Sequence, residues 1–477
     1  MMAWTLRAAA SLLTCCCIFS GVLSASAQAA ASEPQHLLIH GRIVGPEGVA
    51  PGWLDIQGGR ILHINLDKAG REKPVLAGAQ VLDTEDLIFP GFIDLHNHPS
   101  FNVLPRWNPP HTFANRYVWR DWDVYQREVE SKGRALFADP GSFCDIDEYA
   151  EVKALIGGVT SLIGLGSSKP DKPTSGCICG LVRNLDHYTG FYGTEPDHER
   201  IANRIGVLAR DTNAEMLAQD ARAIREGRLD LLAIHIAEGL PGDAESAQEL
   251  DRLEAHGLLG EHTALIHAVG LSPSQLARVH RAGASIVWSP RSNFVLYGAT
   301  AQVDAAFRAG VTMSLAPDWS PTGSDNMWEE IQYAAGVNEQ KLDELFSSRQ
   351  LVEMASGVPA RVARIDDKVG VVAAGMLADF FLVHRGKVES TNPYDAIVHE
   401  PVTAISLVVI GGVPVYGDAA MLERLKVQAE PLELCGAKKA LNAAALPNGS
   451  FAAVEARLRT KLQALGTDLA PLDSCGQ

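Results

Sequence analysis

Hydrophobic and polar positions divide the chain into regions of different texture. From Gln35 to Phe89 short apolar runs are broken by glycine: Leu37-Leu-Ile-His, Trp53-Leu-Asp-Ile and Arg60-Ile-Leu-His-Ile. Runs this short, bounded by turn-forming residues, predict small antiparallel strands. The texture returns in Val369–Val372, Asp379–Val383 and Ile405–Ile410. Two β-rich ends flanking a long middle predict one sandwich assembled from both.

The middle alternates. Leu231–Ile236, Thr263–His267, Ala284–Trp288 and Val311–Ala316 are strand candidates. Between them Ala247, Leu250 and Leu253 recur at helical spacing, and Ala301–Ala309 reads as a helix. Ser272-Pro273 supplies an N-cap and first-turn pair ahead of Leu276 and Val279. Short buried strands alternating with helices mean a parallel sheet with crossovers. Four such units, with room upstream for four more, predict an α/β fold: a (β/α)8 TIM barrel over residues 90–366. A small β-sandwich domain is expected from residues 30–89 and 367–425, built from both chain ends, and a helical tail over 426–477 around Phe451–Leu465.

Composition narrows the classes. The 477 residues are 47% hydrophobic and 21% charged, a globular balance, and carry a net charge of −16. So acidic a chain is repelled by phosphate backbones, which argues against nucleic acid as a partner. Residues 1–29 differ from the rest: Arg7 precedes an uncharged apolar run, Ala8 to Leu23, followed by Ala25-Ser-Ala-Gln-Ala29. That pattern predicts a signal peptide cleaved after Ala27 or Ala29, and an exported, periplasmic or secreted product. No later stretch stays apolar for 18 residues, so no stable membrane insertion is expected. Cys144, Cys177, Cys179, Cys435 and Cys475 remain after cleavage; at most two disulfides form within one chain, one of them expected at Cys144. Their connectivity and the formation of a homo-oligomer stay open.

The sharpest chemical signal is Pro90-Gly-Phe-Ile-Asp-Leu-His96-Asn-His98. Residues i and i+2 of a strand face one side, so the two imidazoles are presented together, and paired neutral imidazoles are a common core of metal sites. His235, then Glu238, then His267 and Asp318 each fall at or just past the C-terminal end of a predicted strand, where barrel enzymes keep their catalytic groups.

The ordered set PGFIDLHNH, HIAE, IHAVG, SPRSN and APDWSPTGS, with a late Gly375-Met-Leu-Ala-Asp379, resembles the metal-dependent amidohydrolase superfamily, in its chlorotriazine hydrolase and nucleobase or nucleoside deaminase branch. The resemblance runs from about Gln35 to Gly417. It implies that His96, His98, His235 and Asp318 bind a metal, that Glu238 shuttles protons, and that His267 lies beside the activated water and stabilises the developing oxyanion. The catalytic set would then be Glu238, His267 and Asp318. Binuclear members bridge two ions with a mid-barrel lysine, and no lysine lies between Phe191 and His235. One divalent ion is therefore expected, Zn²⁺ in preference to Fe²⁺.

The implied activity is hydrolysis of a non-peptide C–N bond in a small, cyclic substrate, by deamination or cyclic amide opening. A binuclear amide or dipeptide hydrolase and an inactive binding protein on the same fold are the alternatives. Trp107, His111, Trp119 and Trp122 fall in a segment, Pro99 to Asp139, without helical period; they either stack on a planar substrate or pack the loop. Gly166–Cys177 has no assigned counterpart.

Overall fold

A computed structural model describes residues 36–66, 78–164, 180–186, 200–386 and 392–476. The signal-like stretch 1–29, Gly166–Cys177 and Cys179 lie outside these described residues.

Among the described residues, seventeen strands form three sheets. The chain opens with β1 (Leu37–Gly45), β2 (Gly48–Gln57), β3 (Arg60–Leu66) and β4 (Gln80–Pro90). Eight short strands follow: β5 (Phe92–Asp94), β6 (Val159–Leu162), β7 (Arg183–Asn184), β8 (Ile201–Arg204), β9 (Leu231–Ile236), β10 (Thr263–His267), β11 (Ser285–Trp288) and β12 (Thr312–Leu315). The last five are β13 (Phe380–Val383), β14 (Ile405–Ile410), β15 (Val413–Asp418), β16 (Ala429–Leu434) and β17 (Ala437–Asn442).

Strands from both chain ends share one nine-stranded sheet, in the order β16-β17-β15-β14-β13-β4-β1-β2-β3. The ends meet where β13 pairs antiparallel with β4, from Phe380 opposite Pro90 to Val383 opposite Leu87. The expected strand at Val369–Val372 is absent; those residues form bends and irregular backbone. The tail is not simply helical either. Residues 429–442 supply β16 and β17, and only Phe451–Ala464 is a long helix. That helix packs on helix Pro140–Ile156, stacking Phe451 on Tyr149 with ring centroids 5.8 Å apart. A disulfide, Cys435–Cys475, ties β16's exit to the C-terminal segment, and Cys144 is also disulfide-bonded.

The eight short strands run parallel in two sheets, β5-β6-β7 and β12-β11-β10-β9-β8. Their residues alternate between two cores, as period-2 side chains must. Ile93, Ile201, Ala233, Ile266 and Val287 point into one apolar cluster, while Phe92, Ala202, Ile234, Leu265 and Ile286 face the cluster shared with the helices. The late GMLAD motif has a structural use: Asp379 accepts from Arg183 Nη2 at 2.9 Å and from the Gly411 amide at 2.7 Å, fastening the nine-stranded sheet to β7.

Candidate active site

All the residues singled out for chemistry sit at or beyond the C-terminal ends of parallel strands. His96 and His98 follow β5, His235 is the penultimate residue of β9, Glu238 follows β9, His267 ends β10 and Asp318 follows β12. Strand alternation is not what pairs the first two, because β5 stops at Asp94. The buried Asp94 carboxylate accepts from the His96 amide at 3.0 Å and from Asn97 Nδ2 at 2.6 Å, turning the chain. Asn97 then bridges to Asp318, and the His98 amide donates to the Asp318 carbonyl at 2.9 Å. The two imidazoles end 5.0 Å apart and nearly perpendicular.

Three of the strand ends carry non-glycine residues in the left-handed region: Ala237 (φ 53°), His267 (φ 69°) and Asp318 (φ 68°). Each such residue costs roughly 1–3 kcal/mol and persists where surrounding structure over-determines it, commonly at functional sites. Here the bends turn three strand ends toward a shared centre.

His96 lies 4.7 Å from His235 and 5.0 Å from His267, centroid to centroid. Its Nε2 is 3.0 Å from Asp318 Oδ1, and His98 Nε2 is 3.6 Å from the same oxygen. Yet neither ring nitrogen of His96 makes an aligned hydrogen bond, although both are buried. His235 Nδ1 donates to the Arg204 carbonyl at 3.2 Å, leaving the Nε2 lone pair free. Burial lowers His96 to about 3 and His98 to about 4, and drives His235 far below the usual imidazole range. These rings are therefore neutral at pH 7. A buried polar nitrogen without a partner is costly. A divalent cation would remove that cost, since ligand atoms of His96, His98 and His235 lie within 4.8 Å of one another, as do those of His96, His267 and Asp318. Imidazole nitrogens with a carboxylate suit Zn²⁺ and its first-row neighbours. The residues present fit a metal.

His267 is arranged differently from the expected oxyanion donor. Its Nδ1 meets Asn293 Oδ1 at 2.9 Å, while Asn293 Nδ2 donates to Thr300 Oγ1 at 3.2 Å. With Nδ1 donating and burial lowering the ring to about 3, Nε2 carries a lone pair rather than a hydrogen. In this tautomer it can accept a hydrogen bond but cannot give one to an oxyanion.

Glu238 is buried beside this centre. Tyr297 OH donates to its Oε1 at 2.6 Å, Arg116 Nη1 stands 4.0 Å from Oε2, and its carbonyl accepts from the Arg116 amide at 3.0 Å. Burial, outweighing Arg116 and Tyr297, pushes its carboxyl up to about 7. A carboxyl poised there can give and take a proton at neutral pH. Arg116 is held by Asp211 at 2.7 Å and Glu249 at 3.1 Å, and Glu249 in turn accepts from the Ala237 amide at 2.7 Å.

A cavity of about 210 Å³ opens onto these groups, walled by Phe101, Trp119, Tyr125 and Trp319. Of the four residues named in segment 99–139, only Trp119 lines it. Trp107 and Trp122 pack against each other and Phe113, with Trp107 Nε1 bonded to Glu128, and His111 covers that cluster. The segment is not irregular: helices Arg116–Arg120 and Ser131–Ala138 lie in it, the first capped by Asn115. Sequence reading missed Arg116 and Tyr297, which carry no local motif. Trp319 was legible only by adjacency to Asp318.

Imidazoles and carboxylates thus converge at the strand ends of a parallel α/β fold, in a set that could hold a metal ion. Residues 230–415 match the amidohydrolase family. The chain is 24% identical over 397 residues to a 5-methylthioadenosine/S-adenosylhomocysteine deaminase of Syntrophobacter fumaroxidans, covering 77% of this chain and 89% of that one. It is 29% identical over 370 residues to the corresponding protein of Halobacterium salinarum, covering 72% and 82%. Among solved structures, a zinc-bound adenosine deaminase from Xanthomonas campestris aligns with a TM-score of 0.68 at 16% identity, covering 91% of this chain and 99% of that one. A triazine hydrolase from Arthrobacter aurescens aligns at 0.63 and 17%, covering 80% and 94%. Over residues 230–415 the chain is thus similar to the amidohydrolase family, on its deaminase-like side, which is consistent with a hydrolase acting on carbon–nitrogen bonds.

Proposed function

We propose that this protein is a mononuclear metal-dependent hydrolase that deaminates a planar nitrogen heterocycle of the aminopurine kind, with cyclic amide opening as the neighbouring reaction. The observation that carries the reading is the meeting of three unprotonated imidazoles, Asp318 and Glu238 on one aromatic-walled cavity. His96, His98, His235 and Asp318 would hold the ion, Zn²⁺ by preference. When bound, such an ion lowers the pKa of water to about 7.

The chain's own residues supply the rest. Asp318 accepts the proton that water gives up. His267 Nε2 orients the water by accepting its O–H. Glu238 gives a proton to the ring nitrogen and is reprotonated by the hydroxyl as the carbonyl forms, while the proton held by Asp318 leaves with the amine as ammonia. Phe101, Trp119 and Trp319 offer flat faces to the heterocycle. The curated relatives above are named for deamination of adenine nucleosides, which supports an amino group on a purine ring as the leaving group. A binuclear dipeptide hydrolase is not favoured. Lys153, which is buried, lies on a helix and pairs with Asp325 at 2.9 Å, so it is not placed to bridge two ions.

We also read β5–β12 as the eight strands of one (β/α)8 barrel, supported by the Asn97–Asp318 bridge between its first and last strands and by the cluster they share. The nine-stranded sheet would curl into the expected sandwich, since β2 and β14 contribute to one core. Export through residues 1–29 is supported by the disulfides, which persist in oxidising compartments. N-terminal sequencing of the mature protein beginning near residue 28 or 30 is the expected result.

The test of activity is a Zn²⁺-loaded screen of adenosine, 5′-methylthioadenosine, pyrimidines, hydantoins, lactams and dipeptides. Ammonia release from an aminopurine is expected; dipeptide cleavage alone would contradict the proposal.

A further inference from the structure

Behind the cavity wall, outside every motif discussed above, Tyr297 closes helix Pro290–Tyr297 at the left-handed Gly298 (φ 66°). Its ring is buried at 2% exposure, and its hydroxyl stands between two partners. Trp119 Nε1 lies 2.8 Å from the hydroxyl oxygen, and Glu238 Oε1 lies 2.6 Å from it. An indole N–H can only donate, so the Tyr297 oxygen must accept from Trp119. The single hydroxyl hydrogen is then left for Glu238 Oε1. Burial and the neighbouring Glu238 raise the phenol well above its usual range, so that hydrogen is never lost in the working pH range.

We infer that Tyr297 is a positioning residue for Glu238: with its hydrogen directed by Trp119, it keeps Oε1 as a permanent acceptor and leaves Oε2 as the oxygen through which protons pass. The inference rests on reading Glu238 as the proton carrier. Its geometric basis is independent of that reading. His267 Nε2 approaches Oε1 at 3.8 Å but is bare, so among the described residues Tyr297 is the one donor to that oxygen. The terminal torsion of a glutamate is soft and nearly two-fold. Without the phenol, the carboxyl can present either oxygen to the cavity, and the proton is divided between them. Trp119 also belongs to the cavity wall. Two hydrogen bonds therefore join a surface that would touch the substrate to the group that would protonate it.

Two readouts test this, both on the intact metal-loaded protein. In ¹H–¹⁵N spectra of indole-labelled protein, the Trp119 signal is identified among the other tryptophans by its loss in Trp119→Phe. It is expected to move in Tyr297→Phe, and to move in Glu238→Gln although Glu238 does not touch Trp119. The second readout is ammonia release from the heterocycle turned over in the screen. Tyr297→Phe is expected to lower kcat about 10- to 100-fold, the scale of one hydrogen bond to a charged group, with KM changed less than about threefold.

A Trp119 signal indifferent to Glu238→Gln, or a Tyr297→Phe enzyme with unchanged kcat, overturns the inference. Full activity in Glu238→Gln would instead remove the functional reading, leaving the hydrogen-bond chain itself to the spectra. Should Tyr297→Phe not fold, the response to Glu238→Gln decides the matter alone.

Discussion

The imidazoles around Asp318 and the ions around Arg116 are neighbours in the same buried floor, yet they are built on opposite plans. In the second cluster each ion has its counter-ion: Arg116 meets Asp211 and Glu249, Arg120 adds a second contact to Asp211, and Tyr117 OH lies within hydrogen-bond reach of both carboxylates, with one hydrogen to give. In the first, His96 is left with two buried nitrogens and no aligned partner, and burial strips the rings of their protons. A complete network holds a shape. An incomplete one holds a place for something else. Glu238 stands between them, gripped at its carbonyl by the Arg116 amide and facing the cavity with its carboxyl. The fold thus separates the rigid half of the site from the half that must accept a ligand.

Four perturbations sharpen that contrast, from large to small. Glu238→Gln keeps the carboxamide in place but cannot carry a proton. It should retain metal and lose about 10²- to 10⁴-fold in kcat; loss of metal along with activity would place Glu238 in the binding half instead. Arg116→Met strands Asp211 and Glu249 without their buried cation. Removing one partner of such a pair costs about 3–5 kcal/mol, read as a fall in denaturation midpoint. A stability change near zero would mean that the network is not the rigid element claimed here.

Replacing Cys435 and Cys475 together by serine tests the disulfide beside the sheet's edge strand β16. The bond closes 40 residues and should contribute about 2–4 kcal/mol, lowering Tm without altering kcat. The smallest effect concerns His384, whose ring Nε2 bonds Asp418 at 2.7 Å and whose Nδ1 bonds Asp86 at 3.3 Å. These hydrogen bonds raise it from the usual imidazole value to about 9. A raised folded-state value stabilises fully below about pH 6.5 and is lost as pH climbs through 9. Tm should therefore fall more between pH 6.5 and 9.5 in the wild type than in His384→Gln; identical slopes would remove His384 from the account.

Much of the site was legible in the chain because its chemistry is local to strand ends. His235, His267 and Asp318 could be placed by finding where apolar runs stop. His96 and His98 converge as expected, but through the Asp94 turn rather than through strand alternation, and a turn made by a side-chain carboxylate leaves little trace in a hydrophobic pattern. Arg116 and Tyr297 were invisible for a different reason. Their partners lie 133 and 59 residues away in sequence, and only tertiary packing brings them together. His267 ends β10 where the apolar run stops, but the tautomer that Asn293 sets, 26 residues on, leaves no local trace. In the fold, the alternating middle was readable from Leu231 onward. β6, β7 and β8 span only four, two and four residues, too short for periodicity to register. The strands β16 and β17 were hidden by mixed charge in a segment read as tail.

The most direct measurement is metal content per chain, taken on the wild type and on Asp318→Ala together with ammonia release from the substrate identified in the screen. One equivalent of metal is predicted in the wild type, with metal and turnover lost together in Asp318→Ala. Two equivalents, or an Asp318→Ala enzyme that keeps full activity, would contradict the account.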